Sequence, residues 1–237
     1  MKKQAAIADP PKIPGLREMS ILNHLRELRT RLIVGSVAIF IGSILAFVFF
    51  DQIVAILFRP FESIGTLESE NQLFINTLFE GFVTKLKVSV LAGTIISFPV
   101  HLYNIIRFVF PGLKGKEKKM IVIGLIASFV LSAFSFYYSY FRIIPLSVRF
   151  LTGDHFIPLQ VGMLLNYQRN IFYILQFIFV SLLVFQTPII LELLLVMNVV
   201  GRKTLLKASR HVIVLIFILS AVLTPPDFIS QVSLAAP

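Results

Sequence analysis

Two carboxylates stand out because each lies within a cluster of basic side chains. Glu27 and Glu117 are separated by 89 residues, yet their surroundings are alike. The surrounding basic residues are Arg26, Arg29, Arg31, Lys116, Lys118 and Lys119. One interpretation is that each acid relieves local repulsion through exposed ion pairs, which contribute little to stability. The other is a pair of carboxylates that receives a basic ligand, for which a guanidinium is suited because it binds a carboxylate through two parallel hydrogen bonds.

Three further residues could do polar chemistry within an apolar stretch. Glu192 is an ionisable residue in such a stretch. Because an ionisable side chain is costly to place in the membrane, it suggests a function by default. Glu192 lies near the end of the stretch, however, so a helix-end ion pair explains it equally well. Gln186 lies deeper, just before Pro188, which removes a backbone donor and frees a carbonyl. The sequence therefore predicts a kinked polar site inside the membrane. The alternative is an amide that bonds the kink or a neighbouring helix.

Small residues recur at helical spacing on two of the apolar segments. They are Gly35, Gly42 and Ala46 on the first and Ser128, Ser132, Ser135 and Ser139 on a later one. Small side chains on one face let helices approach closely, so we interpret both sets as packing surfaces rather than as a polar pathway.

The composition excludes a disordered chain and argues against a soluble domain, and the common enzyme motifs are missing from the sequence. The 237 residues are 57% hydrophobic and 14% charged, with a mean hydropathy of +0.87, whereas soluble domains are about 25% charged. There is no cysteine, hence neither a disulfide nor a thiolate metal site. No phosphate loop, nucleophile elbow or HExxH string occurs. We expect an all-α polytopic membrane protein that is not an enzyme and needs no metal or cofactor.

Apolar runs predict five transmembrane helices. Residues 1–19 form a polar tail and residues 20–237 a single transmembrane domain, opened by an amphipathic helix over 20–31. The predicted spans are residues 32–50, 88–106, 120–140, 171–197 and 208–223. The first uncharged run is too long for a signal peptide. The fifth run, from His211, is too short to cross about 30 Å of hydrocarbon, so it must include residues from 204–210 or thin the bilayer.

The charge distribution predicts the orientation. Residues 1–31, 107–119 and 201–210 hold 16 Lys or Arg and 4 acids, whereas the opposite side holds 6 Lys or Arg and 7 acids. The excess of positive charge on cytoplasmic loops places the N-terminus in the cytoplasm. The net charge of +10 is thus a topology signal and does not indicate nucleic acid.

Four segments, in order, resemble the TatC subunit family of the twin-arginine protein translocase. They are Leu25–Leu32 before the first span, Phe108–Lys119 in a basic loop, Phe185–Pro188 in the fourth span and Leu223–Gln231 after the fifth. Pro60 and Pro99 also fit the family pattern. The resemblance begins at about residue 20 and extends to the end of the chain.

The resemblance implies a receptor in the bacterial inner membrane. Family members bind the twin-Arg signal peptides of folded cargo at a cytoplasmic patch and use the proton-motive force. The two family acids of that patch correspond to Glu27 and Glu117, and Phe108 matches a neighbouring recognition position. Arg29 and Lys118 lie beside them. The partners implied are TatA- and TatB-type single-span subunits, docked near the fifth span, and further copies of the chain in a homo-oligomer.

The chain departs from the family at two places. Gln186 stands where the family often has Glu, so titration at this position is not expected, and Glu192 would face elsewhere unless the Pro188 kink reorients it. The family has six spans, and the sixth would begin near residues 233–237, so we expect either a truncated chain or an unusual five-span form. The residues assigned to structure or partner docking are Pro60, Pro99, Pro225, Pro226 and Asp227.

Two other functions, a transporter and a hydrolase, fit the sequence less well than a translocase receptor. A small-molecule or ion transporter would need inverted repeats and broken helices at the middle of the membrane, and no clear repeat is visible. A membrane-embedded hydrolase would need a nucleophile with a base, and no serine has a convincing histidine partner in the sequence.

Overall fold

Nine α-helices, described here in a computed structural model, account for most of the residues that the structure describes, which are 21–62, 73–109, 115–153, 165–196, 200–223 and 231–232. The helices are α1 (Ile21–Val48), α2 (Phe50–Glu62), α3 (Glu80–Ile96), α4 (Phe98–Val109), α5 (Gly115–Tyr138), α6 (Ile144–Leu151), α7 (Tyr167–Val184), α8 (Thr187–Val196) and α9 (Arg202–Leu223). A π-helical turn (Ser139–Ile143) joins α5 to α6. Two short parallel strands pair, β1 (Leu73–Phe74) with β2 (Leu165–Asn166). The expected all-α class is confirmed.

Helix α1 combines two predicted elements. The amphipathic helix and the first span form one helix because no proline or charge cluster interrupts residues 32–48. We call the end where α1 begins the proximal end of the molecule, and the other the distal end. Helix α2 follows almost at once, between the first two predicted spans, where the charged residues of 51–87 predict a loop rather than a helix.

Helices α1 and α3 pack with their backbones in close contact. A Cβ atom on Gly42 would lie 2.6 Å from the carbonyl oxygen of Gly93, and one on Gly93 would lie 2.4 Å from the backbone nitrogen of Ser43. Ala46 is buried one turn further on. The predicted role of small residues on α1 in packing therefore agrees with the structure.

Both breaks within spans precede a proline. Helices α3 and α4 are bent by 49° relative to each other, and Pro99 is the second residue of α4. Helices α7 and α8 meet at Phe185 and Gln186, and Pro188 is the second residue of α8. Proline has no N–H for the carbonyl four residues earlier, and its ring clashes with that turn, which accounts for both breaks.

Among the described residues, three helices are long and apolar enough to cross a membrane, and a fourth if α3 and α4 count as one span. The three are Leu22–Val48 (nearly all of α1), Val122–Leu151 (most of α5 with the π-helical turn and α6) and Tyr167–Glu192 (α7 with part of α8). Each extends past one predicted boundary, because polar end residues continue the helix, and stops two to five residues short of the other. Helix α9 has 22 residues, which is about 33 Å of helix. It begins at Arg202, so the helix that contains the fifth predicted run includes residues 204–210.

The distal end is held by contacts between helices and by the strand pair. Tyr140 donates a hydrogen bond to the carbonyl oxygen of Ile56 at 2.5 Å, which ties the π-helical turn to α2. Glu80, the first residue of α3, accepts bonds from the backbone nitrogens of Asn76 and Thr77 and from Nδ2 of Asn166. The core between the helices includes Val88, Ile143, Ile171 and Phe177, all nearly inaccessible to solvent.

Candidate functional site

Glu27 lies in the second turn of α1 and is paired with a residue of its own helix. Nη2 of Arg31 donates to Oε1 of Glu27 at 3.1 Å, and both side chains are about one-fifth exposed. A pair at this spacing forms because residues four apart face each other on a helix. Among the described residues, no other donor reaches this carboxylate, so Oε2 is available to an incoming cation.

An aromatic stack lies next to this pair. The His24 imidazole lies on the ring of Phe108, with centroids 4.4 Å apart and an interplanar angle of 19°. Helix α1 supplies the histidine and the last turn of α4 supplies the phenylalanine. The stack therefore brings Phe108, a predicted recognition residue, to the same end of the molecule as Glu27.

A pocket of about 300 Å³ lies between α1 and α4, with Phe108 and Arg31 in its wall. Because Gly35 has no side chain, His101 can lie close against α1: a Cβ on Gly35 would be only 2.9 Å from Cε1 of His101. Among the residues that line this pocket, four buried polar atoms have no hydrogen-bond partner within the described part: Nε of Arg31, Nε2 of His101 and both side-chain polar atoms of Asn104. Buried polar groups are normally bonded, so the pocket offers unused donors and an acceptor to a polar guest.

His101, Asn104 and His24 were not singled out in the sequence. A signal was present, because His101, Asn104 and Phe108 recur at positions i, i+3 and i+7 and hence lie on one face of α4. Their importance depends on contact with α1, which is distant in sequence.

The structure describes the other predicted recognition residues, Arg29, Glu117 and Lys118, in less detail. Arg29 is exposed on α1. Glu117 and Lys118 lie in the first turn of α5, which begins a few residues after α4 ends and therefore starts at the proximal end. Their side chains lie outside the described part, so the pairing of Glu27 with Glu117 stays a prediction.

Gln186 is buried between helices, and its partner is the serine stripe of α5. Its Nε2 donates to Oγ of Ser132 at 2.9 Å and to the carbonyl oxygen of Ser128 at 3.3 Å. The amide is 5% exposed. From the sequence, the serine stripe and the kink at Pro188 were two separate features. In the structure they are connected, because Gln186 at the kink bonds to the stripe.

A second contact continues the stripe toward the distal end. Ser135 and Ser139 both bond to the hydroxyl of Ser181 on α7, the first at 3.1 Å. All four stripe serines are buried. The stripe is therefore a packing surface, as expected, and its hydroxyls also cross-link α5 to α7.

The predicted structural residues have diverse surroundings. Pro60 is buried inside α2, whereas Pro188 is exposed, and Pro99 lines a small apolar pocket against α5. Glu192 is exposed near the end of α8. Pro225, Pro226 and Asp227 lie outside the described residues. Gln231, in the same family-like segment, donates to the carbonyl oxygen of Phe217 on α9 at 3.1 Å.

The proximal arrangement is suited to binding a ligand. A partly exposed carboxylate, an aromatic stack and a pocket with unused polar atoms lie at this end of the molecule. Among the described residues, no three histidine or acidic side chains lie close enough together to hold a metal ion.

Comparison with known proteins identifies chains of the same architecture. The family model "Sec-independent protein translocase protein (TatC)" matches residues 23–237. The TatC protein of Carboxydothermus hydrogenoformans is 33% identical over 93% of this chain and 88% of its own length. That of Aquifex aeolicus is 33% identical over 92% of this chain and 90% of its own length. A chloroplastic relative from Pisum sativum is 34% identical over 95% of this chain and 62% of its own length.

Solved structures give the same result. A crystal structure of the twin arginine translocase receptor TatC superposes with a TM-score of 0.78 and 33% sequence identity, covering 90% of this chain and 93% of that chain. A second one superposes with a TM-score of 0.77.

Proposed function

The chain belongs to the TatC family of Sec-independent protein translocases, and on that premise we propose that it is the subunit that binds the twin-Arg signal peptides of folded cargo. It is a component of the twin-arginine translocation system and a multi-pass protein of the bacterial inner membrane. The proximal end, where α1 begins, is the cytoplasmic one in this proposal.

The observation that carries the proposal is that, among the described residues, Oε2 of Glu27 has no donor although arginines surround it. Its neighbours Arg26, Arg29 and Arg31 repel a cationic ligand, so a surface that receives an Arg pair needs carboxylates. Glu27 keeps Oε2 available while Arg31 holds Oε1. An incoming guanidinium would bond to Oε2 or displace Arg31 and take both oxygens. Glu117 supplies the second carboxylate in this proposal, beside Lys118.

The pocket beside Glu27 accounts for the rest of the peptide. An extended peptide held by its arginines at Glu27 lies next to the His24–Phe108 stack, which offers an apolar surface. The unpartnered atoms of His101 and Asn104 can bond to the backbone or a polar side chain of the peptide. Arginine recognition and pocket binding together explain why the peptide, rather than free arginine, is the ligand.

The assembly partners are proposed from α9. Ile213, Val214 and Ile218 of this helix are each more than half exposed. In this proposal TatA- and TatB-type single-span subunits pack against this face, several copies of the chain assemble in the complex, and the proton-motive force supplies the energy. No catalytic step is assigned to the chain.

A transporter would also use broken helices, and two of the spans are broken. Each break is explained by a proline, and the polar residue at the second, Gln186, is bonded within the protein. Family membership therefore decides in favour of the translocase component.

The test is charge reversal at the two acids. Glu27→Lys and Glu117→Lys should each abolish export of a twin-Arg reporter protein while the variants still insert in the membrane at wild-type levels. Asp9→Lys is the matched control, since it makes the same charge change in the polar tail, and its export should be normal. Export that persists in both reversal variants would show that these carboxylates do not receive the Arg pair.

A further inference from the structure

A groove with two arginines at its mouth opens at the distal end, far from the peptide site. It has a volume of about 470 Å³ and lies between α2 and the segment formed by α5, the π-helical turn and α6. Arg59 of α2 and Arg149 of α6 lie on its two sides, and both side chains are exposed. Nothing in the receptor function uses this groove.

Aromatic side chains form the wall of the groove. Phe136 and Phe141 are 42% and 57% exposed, like many other apolar side chains of the spans that lipid would cover. Tyr140 stands between them: its ring is stacked with that of Phe136 at 6.1 Å and meets that of Phe141 edge-on at 4.8 Å. The Tyr140 hydroxyl is bonded to the carbonyl oxygen of Ile56. The wall is therefore fixed in place against α2.

The groove spans the boundary between hydrocarbon and headgroups. Phe136 belongs to the span Val122–Leu151, whose 30 residues make about 45 Å of helix, well above the roughly 30 Å of a hydrocarbon core. The distal part of this span carries Arg142 and Arg149, so we place that part in the headgroup region. The aromatic wall begins in the apolar part, and Arg149 lies in the polar part.

Within the described part of the chain, the two arginines differ from the two distal lysines, which lie over aromatic rings. Lys85 lies over the rings of Phe47 and Phe50, and Lys87 lies over that of Phe172. Among the described residues, neither Arg59 nor Arg149 is within 4.0 Å of a carboxylate or stacked on a ring. Two guanidiniums that face one groove, neither of them paired with a carboxylate of the described residues, create a site for an anion with several oxygens, to which each can bond in a bidentate way.

We propose that this groove binds a phospholipid with an anionic headgroup from the distal leaflet. The phosphate lies between Arg59 and Arg149, and an acyl chain lies along Phe136 and Phe141. A soluble phosphate would leave the aromatic wall exposed, and an apolar peptide would leave both guanidiniums unpaired. A lipid satisfies both parts of the groove. The proposal is independent of the peptide-binding site.

The experiment is native mass spectrometry of the purified full chain with added phosphatidylglycerol or phosphatidylcholine. The wild-type protein should retain phosphatidylglycerol in preference. The double variant Arg59→Gln/Arg149→Gln should bind it about 30-fold more weakly, since each basic side chain near an anionic lipid contributes about fivefold. Arg142→Gln is the matched control, because Arg142 is an exposed arginine of the same segment that does not line the groove. Its retention should equal that of wild type.

Three results would overturn the proposal: equal retention by the double variant, equal retention of phosphatidylcholine, or displacement of the lipid by soluble glycerol phosphate at the same concentration as phosphatidylglycerol. The last would identify a soluble anion as the ligand. If the double glutamine variant is not monodisperse, Arg59→Lys/Arg149→Lys replaces it. That variant keeps the charge but loses the bidentate bonds, so unchanged affinity would again contradict the proposal.

Discussion

The imidazole of His24 stacks on the ring of Phe108 at a centroid distance of 4.4 Å and joins the start of α1 to the end of α4. Phe108 also lines the pocket that Asn104 and His101 line, so the stack forms part of the surface that we propose binds the signal peptide. The contact joins elements that are far apart in sequence. It places Phe108, which the sequence assigned to a basic loop, on one side of the proposed binding site.

Removal of the Phe108 ring should weaken peptide binding. Phe108→Ala should lower the affinity for a labelled twin-Arg peptide by about threefold to tenfold, since an aromatic pair contributes about 0.5–1.5 kcal/mol beyond burial. Fluorescence anisotropy with the purified protein measures this. Phe82→Ala, which removes an exposed ring from α3 near the distal end, is the control and should bind normally. Equal losses in both variants would mean that Phe108 has no specific part in recognition.

A single methyl group on Gly93 should separate α1 from α3. The added Cβ of Gly93→Ala would lie 2.4 Å from the backbone of Ser43, which cannot move without shifting the helix. Overpacking of this kind costs about 1–3 kcal/mol, so thermal unfolding in detergent should occur at a clearly lower temperature.

Gly124→Ala is the matched control for this effect. A Cβ on Gly124 of α5 meets nothing within 4 Å, so its melting temperature should equal or exceed that of wild type. If Gly93→Ala melts like Gly124→Ala, the close approach of α1 and α3 is wrong.

Loss of the Ser181 hydroxyl should loosen α7 from α5. This hydroxyl bonds to both Ser135 and Ser139, and hydrogen bonds between membrane helices contribute about 0.6 kcal/mol each. Ser181→Ala should therefore reduce stability by about 1 kcal/mol. Ser209→Ala removes a hydroxyl that bonds only to its own helix and should have little effect. An unaltered Ser181→Ala protein would show that packing alone holds these helices.

Removal of the Glu80 carboxylate should release the distal strand pair. The carboxylate accepts hydrogen bonds from Asn76, Thr77 and Asn166, and Glu80→Ala leaves these donors without it, at a cost of about 1–3 kcal/mol. Hydrogen exchange of the amides at residues 73–77 and 165–170 should become faster. Asp51→Asn, at an exposed carboxylate of α2, should leave those amides unchanged. Unchanged exchange in Glu80→Ala would contradict the role of the carboxylate.

The helical architecture could be predicted from sequence because it follows from local features. Long apolar runs predict spans, and Pro99 and Pro188 mark the two breaks. The extra helix α2 was missed because its polar residues, Asp51 and Arg59, suggested a loop. Charge and polarity report exposure, and a helix at the membrane surface is exposed on one face.

The candidate site was only partly predictable for a different reason. Glu27 and Phe108 were found as parts of motifs, but the pocket between them depends on Gly35 lying against His101. That contact is set by how α1 packs on α4, which no local pattern specifies. The bonds from Gln186 to the serine stripe were missed in the same way.

The most direct test of the account is site-specific photocrosslinking from positions beside Glu27 and Glu117 to a signal peptide. The account predicts a crosslink from both positions with an Arg-Arg peptide and its loss with the matched Lys-Lys peptide, because an ammonium cannot form the bidentate bonds of a guanidinium. Crosslinks of equal yield with both peptides, or a crosslink from neither position, would contradict the claim that these carboxylates receive the Arg pair.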